Sequence, residues 1–289
     1  MTKGKLVPLT ARLAQWRVWV QIAFLAVWLD PFAIRLHTLC APVFHCYSCP
    51  LATFACPIGV LANFSAIHVV PFVAIGTLAA TGAIFGSFIC GWACPFGLVQ
   101  DLIGRIPLRK YELPGWMGYS RYVVLVVLVL AIPYWFGEGN ALFFCRLCPA
   151  GAMEAALPFT AGLAIAGKEI IWPSAAKTII FLLILVAMFF TWRPWCTLFC
   201  PLGAIFGLFN RFSLFFLRFH PEQCNDCDRC RSLCRYHGPS ERRGSDMRCI
   251  RCLDCTRCSA VTLSTVFGSK GGRDDEPELS SISPRGVEE

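Results

Sequence analysis

Cys224, Cys227, Cys230 and Cys234 stand at C-x2-C-x2-C-x3-C spacing, and Cys249, Cys252, Cys255 and Cys258 repeat the pattern with the last gap one residue shorter. Eight cysteines within residues 224–258 are far more than a hydrophobic core uses. Paired runs of this kind let a loop wrap three thiolates around one face of an iron–sulfur cube, while the fourth Cys of each run reaches across to the other cube. The spacing thus predicts one 4Fe–4S cluster on Cys224, Cys227, Cys230 and Cys258, and a second on Cys249, Cys252, Cys255 and Cys234. Structural zinc also uses C-x2-C pairs, but two interleaved runs of four favour iron–sulfur. Disulfides are the third reading.

Composition decides where such runs sit. With 56% hydrophobic and 15% charged residues among 289, and a mean hydropathy of +0.58, the chain departs from ordinary soluble domains. Its apolar residues fall in blocks at 18–34, 68–89, 122–136 and 176–192. Each is close to the ~20 residues a helix needs to cross hydrocarbon. The expected fold class is an all-α integral membrane protein of about four transmembrane helices in two pseudo-repeats, with a C-terminal bacterial-ferredoxin-like domain. Lys3, Lys5, Arg12 and Arg17 precede the first block, whereas Arg35 alone follows it closely. Arg105, Arg109, Lys110 and Arg121 crowd the second connection, and Arg193, Arg211 and Arg218 follow the fourth block. This distribution predicts that both termini face the cytoplasm of a bacterial or archaeal inner membrane. Neither Asp30-Pro31 nor Leu39-Cys40 offers the small-x-small site of a cleavable signal peptide. The net charge of +8 is mostly this topology signal and gives no reason to invoke nucleic acid. The C-terminal cysteines then face a reducing compartment, where thiolate ligands fit better than disulfides.

A second cysteine pattern lies inside the apolar part. Cys90 and Cys94 stand in CGWACPFG, and Cys196 and Cys200 in CTLFCPLG. Aligning Cys90 with Cys196 also matches Cys94 with Cys200, Pro95 with Pro201, Gly97 with Gly203 and Arg105 with Arg211, which is an internal repeat. C-P-x-G recurs at Cys56, Cys94, Cys148 and Cys200. Proline is favoured at the first position of a helix, so each preceding Cys is expected at a helix N-terminus, where unbonded amides point towards it. That placement lowers a thiol's pKa and prepares it as a thiolate ligand. Cys145 and Cys148 echo both Cys46-x-x-Cys49-Pro50 and Cys56-Pro57, and the residues leave open which is the true counterpart.

These features divide the chain into a cytoplasmic N-terminus at 1–17, a transmembrane domain at 18–202, an amphipathic interfacial helix at 203–220, a ferredoxin-like domain at 221–262 and a disordered tail at 263–289. The interfacial helix is read from Phe206, Phe209, Phe212, Phe215, Phe216 and Phe219 interleaved with Arg211 and Arg218.

The two C-x3-C-P motifs followed by a double cysteine run resemble the NapH- and NosR-like membrane ferredoxins, over roughly residues 60–260. The resemblance implies a membrane-bound electron-transfer subunit, of the quinol dehydrogenase kind, that links the quinone pool or a cytoplasmic donor to a periplasmic or membrane redox partner. Carried over by position, it makes Cys90, Cys94, Cys196 and Cys200 the membrane motif residues and the eight C-terminal cysteines cluster ligands. Arg235 and Ser259 depart from the Pro that often follows the fourth Cys, and the cysteines before residue 60 are additional. Competing readings are a metallocentre assembly factor and a thiol–disulfide relay.

Pseudo-symmetry predicts that Cys90, Cys94, Cys196 and Cys200 converge on a third cluster. A fourth is expected from Cys46, Cys49, Cys145 and Cys148, the most symmetric four on the opposite side, which leaves Cys40 and one of the outer five unliganded; which of Cys46, Cys49 and Cys56 is spare stays open, and disulfides are the alternative. Segments 57–67 and 149–166 are expected as re-entrant half-helices that shorten the path between sites. Arg229, Arg231, Arg235, Arg242, Arg243, Arg248, Arg251 and Arg257 among the C-terminal runs should favour reduced clusters. Expected partners are membrane lipid, quinone and other redox subunits. Asp30, His37, His45, Asp101 and Glu138 are candidates to accept a quinol proton.

Overall fold

The computed structural model describes residues 9–28, 56–111, 113–169, 172–224, 229–235, 246–258 and 260–266. Cys40, Cys46, Cys49 and Cys227, with Asp30, His37 and His45, lie outside the described residues.

The expectation of about four membrane-spanning helices is corrected. Among the described residues one helix, Gly115–Phe136, is long and apolar enough to cross a membrane. The block at 68–89 is cut by Gly86, whose φ of 55° ends the Phe72–Phe85 helix. The 14 residues of that helix reach about 21 Å at 1.5 Å each, short of the ~30 Å hydrocarbon core. Ala175–Phe190 has 16 residues and reaches about 24 Å. Leu9–Trp28 has the length, at 20 residues, but carries Arg12 and Arg17. The block at 122–136 instead lengthens, because a 3-10 turn at Gly115–Tyr119 joins its start. It continues through a π-helical stretch, Val124–Ala131, before closing as α-helix at Ile132–Phe136.

The chain is not all-helical either. The reading of 203–220 as one interfacial helix is corrected: the helix Pro201–Phe209 ends there, and Phe215–Phe219 forms a strand. This strand pairs antiparallel with Val261–Thr265, Phe215 opposite Thr265 and Phe219 opposite Val261. The strand pair closes the two ends of the C-terminal cysteine region, and it carries order past residue 263, where a tail was expected to begin.

The repeat does dictate the packing. Each half contributes a longer apolar helix, a five-residue helix and a Cys-capped helix: Phe72–Phe85, Phe88–Trp92 and Pro95–Gly104, then Ala175–Phe190, Pro194–Leu198 and Pro201–Phe209. Pro95–Gly104 packs on Ala175–Phe190, and Pro201–Phe209 on Phe72–Phe85, so the halves interlock. Their common core holds Leu78, Phe96, Ile184, Met188, Trp195, Leu202 and Phe206, and with them Cys90, Cys94 and Cys200.

The C-terminal region is pinned to this core through backbone. Arg251, fully buried at a left-handed φ of 51°, donates to the carbonyls of Phe85, Phe215 and Asn210. Asn210 donates to the Cys249 carbonyl at 2.7 Å and accepts from the Ser87 amide at 2.9 Å. At Gly91 a Cβ would come within 2.4 Å of the Ile250 carbonyl oxygen, so only glycine lets the segment lie that close.

Candidate metal centre

All four C-P-x-G motifs adopt one geometry. Cys56, Cys94, Cys148 and Cys200 are each extended N-cap residues with proline opening the helix. Each Cys carbonyl accepts the helix's first hydrogen bond, from Val60 at 3.0 Å, Leu98 at 3.2 Å, Ala152 at 3.1 Å and Ala204 at 3.1 Å. At two of the four the motif glycine also turns its amide on the sulfur: Gly203 N–H reaches Cys200 Sγ at 3.3 Å and Gly151 N–H reaches Cys148 Sγ at 3.4 Å.

The interlocked halves bring Cys90, Cys94, Cys196 and Cys200 to the wall of one cavity. Gln100, buried with it, donates to Cys196 Sγ at 3.1 Å. Burial pushes the Cys90 thiol up to about 12, with the neighbouring Cys196 adding to it. Burial first, and then the other cysteines, also push Cys94 and Cys200 well above the ordinary thiol value. Burial raises Cys196 too, against the pull of Arg193. Bare, the four are neutral thiols; they become thiolates when a cation balances them. Four soft sulfurs with amide donors are a donor set suited to iron–sulfur ligation. Among the described residues no three His, Cys, Asp or Glu groups close to the spacing of a single ion.

The same cavity is lined by Met247, Cys249 and Ile250 of the C-terminal region. Cys249 belongs to a second set: burial, then Cys255 and more weakly Cys234, push its thiol up to about 12. Cys252 is raised by burial, with Asp254 and Cys255 contributing. Cys249 thus lies within electrostatic reach of Cys255 and Cys234, and Cys252 within reach of Cys255. Of the companion set, Cys230 and Cys258 pack in one apolar cluster with Cys255, and Cys224 lies at the end of the Pro221–Gln223 turn.

The arginines among the runs do several things. Arg251 is a structural staple, Arg248 pairs with Asp246 at 3.4 Å, and Arg235 stacks over Trp192 at 4.5 Å. Arg235, Arg248 and Trp192 line a second cavity that reaches Cys196 from outside.

Asp101 is not an available proton acceptor. It is 1% exposed and bonded to Arg193 Nε at 2.8 Å, to Arg193 Nη2 at 2.5 Å and to Arg17 Nη2. Burial alone would raise its carboxyl, but Arg193 and Arg17 outweigh that and hold it below the usual value. Arg193 also donates to the Cys90 carbonyl at 3.0 Å, and Arg17 reaches Asp254 at 3.7 Å. This triad, the Gln100 contact and the Ser87–Asn210 clasp were not read from sequence. The available signal was that Asp101 and Arg193 are opposite charges beside the two motifs that the repeat does not match with each other. Glu138 is exposed.

The 4Fe-4S binding domain family matches residues 67–114 and 177–220. Those segments contain Cys90 and Cys94, and Cys196 and Cys200, the two halves of the cavity. The chain is 25% identical to an uncharacterised protein of Methanocaldococcus jannaschii over 201 residues, 64% of this chain and 74% of that one. It is 31% identical to the methylamine utilization ferredoxin-type protein MauN of Methylobacillus flagellatus over 165 residues, 56% of this chain and 52% of that protein. It is 29% identical to the regulatory protein NosR of Stutzerimonas stutzeri over 154 residues, 50% of this chain and 19% of NosR. The chain thus spans about half of MauN and a fifth of NosR. No solved structure matches it.

Proposed function

We propose that this chain, a relative of the ferredoxin-type 4Fe–4S proteins, is an iron–sulfur electron-transfer subunit of a membrane oxidoreductase. One cluster sits on Cys90, Cys94, Cys196 and Cys200, and two sit on the C-terminal cysteines in the interleaved sets. The observation that carries this reading is the shared cavity, whose wall includes Cys249 of the second C-terminal set together with the four core cysteines. When bound, such clusters supply one-electron exchange. The protein's own part is to bury the sulfurs, donate Gly203 and Gln100 hydrogen bonds to them, and neutralise their surroundings with Arg193 and Arg121. Hydrogen bonds to cluster sulfurs and positive charge favour the reduced form.

The apolar helix Gly115–Phe136 supports membrane attachment, with the C-terminal region on the cytoplasmic side. The basic cavity of Arg235, Arg248 and Trp192, which opens onto Cys196, supports docking of another redox subunit there. Quinone is the proposed pool with which the complex exchanges electrons.

Anaerobic purification of the full chain and its Cys94→Ser variant, with iron and acid-labile sulfide counted, tests the assignment. The variant should lose one cluster's share of both while the C-terminal signals persist. Equal iron in the two proteins would refute it.

A further inference from the structure

Three cysteines that this reading does not use lie together elsewhere in the core. Cys56 caps Pro57–Ala66, Cys148 caps the helix opened by Pro149, and Cys145 lies in the short helix Phe144–Leu147 just before it. A Cβ on Gly59 would sit 3.7 Å from Cys145 Sγ and 3.7 Å from Cys56 Cβ, so the Cys145 sulfur lies against the first turn of the helix that Cys56 caps. Cys148 is 6% exposed and its sulfur already accepts the Gly151 amide. Ile58, Phe143, Phe144 and Ala150 wall the group with apolar surface. Cys46 and Cys49 of the expected set lie outside the described residues, and Cys56 packs in the same core cluster as Cys145 and Cys148.

We infer that Cys56, Cys145 and Cys148 form a second thiolate site within the helical core, which binds a further iron–sulfur cluster. It is built by the same device as the four-cysteine site: a Cys-Pro-capped helix on each side and a cysteine one turn ahead. The inference rests on the iron–sulfur reading of that site. Three thiolates leave one corner of the cluster to a ligand other than these cysteines.

The position of the site gives it a redox partner. Phe144, next to Cys145, stacks on Trp195 with ring centroids 6.3 Å apart, and Trp195 meets Phe96 edge-on at 6.4 Å. Trp195 is bonded to Cys196, and Phe96 lies two residues beyond Cys94. A line of three aromatic rings therefore runs from beside Cys145 towards Cys196 and Cys94. One electron lost by one cluster is the electron gained by the other, with no bond or proton moved.

The test uses the full chain purified anaerobically, as Cys145→Ser, Cys56→Ala and Cys94→Ser variants, with iron, sulfide and Mössbauer spectra recorded. Cys145→Ser and Cys56→Ala should each lose one cluster's share of iron, distinct in spectrum from the share that Cys94→Ser loses. The unmodified chain provides a control for misfolding: Cys56, Cys145 and Cys148 should resist alkylation until oxidant and chelator strip the iron. If Cys94→Ser loses iron and the other two variants keep it, this inference fails and the four-cysteine reading stands. If Cys94→Ser keeps its iron, the underlying reading fails. Alkylation of the three cysteines after mild reduction alone, with iron unchanged, would mark them as a disulfide system and overturn the proposal.

Discussion

Asp101 shows what a single residue contributes to holding the two cysteine systems together. Its carboxylate sits between Arg193, which holds the Cys90 carbonyl, and Arg17, which reaches Asp254 of the C-terminal region. Asp101→Asn would take the Asp101 counter-charge away from two buried guanidiniums, and removing one partner of such a pair costs roughly 3–5 kcal/mol. Its pH dependence follows from the lowered carboxyl. The stabilisation is complete above the unfolded carboxylate's value of about 4 and is lost as pH falls through the still lower folded value. Chemical denaturation across the acid range should therefore show a component present in the natural chain and absent in Asp101→Asn. Identical profiles would remove Asp101 from this role. The cysteines were legible because their spacing is local and their chemistry is specific. The triad was not, because its members are 84 and 92 residues apart and each charge alone reads as a solvated or topological residue.

At the scale of elements, C-P-x-G was a sound guide because it encodes geometry within four residues. Proline, a carbonyl acceptor and a glycine amide define a helix start around a sulfur wherever they occur. The strand at Phe215–Phe219 was hidden for the opposite reason. Its phenylalanines continue the three-residue spacing of Phe206, Phe209 and Phe212, which imitates a helical face, while the strand exists through a partner at Val261–Thr265 on the far side of the cysteine region. The membrane blocks misled in a similar way: hydropathy is summed along the chain, but Gly86 and the short cysteine helices break the apolar runs into pieces that pack on one another. Gly91 is where the two systems touch most closely. Gly91→Ala forces a Cβ against the Ile250 carbonyl, and overpacking of this kind costs about 1–3 kcal/mol. The thermal midpoint should fall and the C-terminal region should become sensitive to protease ahead of the helices. Unchanged stability and unchanged cleavage would mean that the segment is not held against the motif.

For the whole molecule, the account is that two interlocked repeats make a buried four-thiol site, and that a strand-closed cysteine region is stapled over it by Arg251, Asn210 and Ser87 so that Cys249 shares its cavity. Cluster count, cluster proximity and electron transfer all follow from that juxtaposition. Electron paramagnetic resonance of the fully reduced chain, compared with Cys94→Ser, tests it most directly. The signal of the cluster on Cys234, Cys249, Cys252 and Cys255 should be broadened or split by two neighbouring paramagnets in the natural chain, and should keep only the coupling to its C-terminal companion, at the same integrated intensity, in Cys94→Ser. Superimposable spectra from the two proteins, with equal iron, would contradict the account.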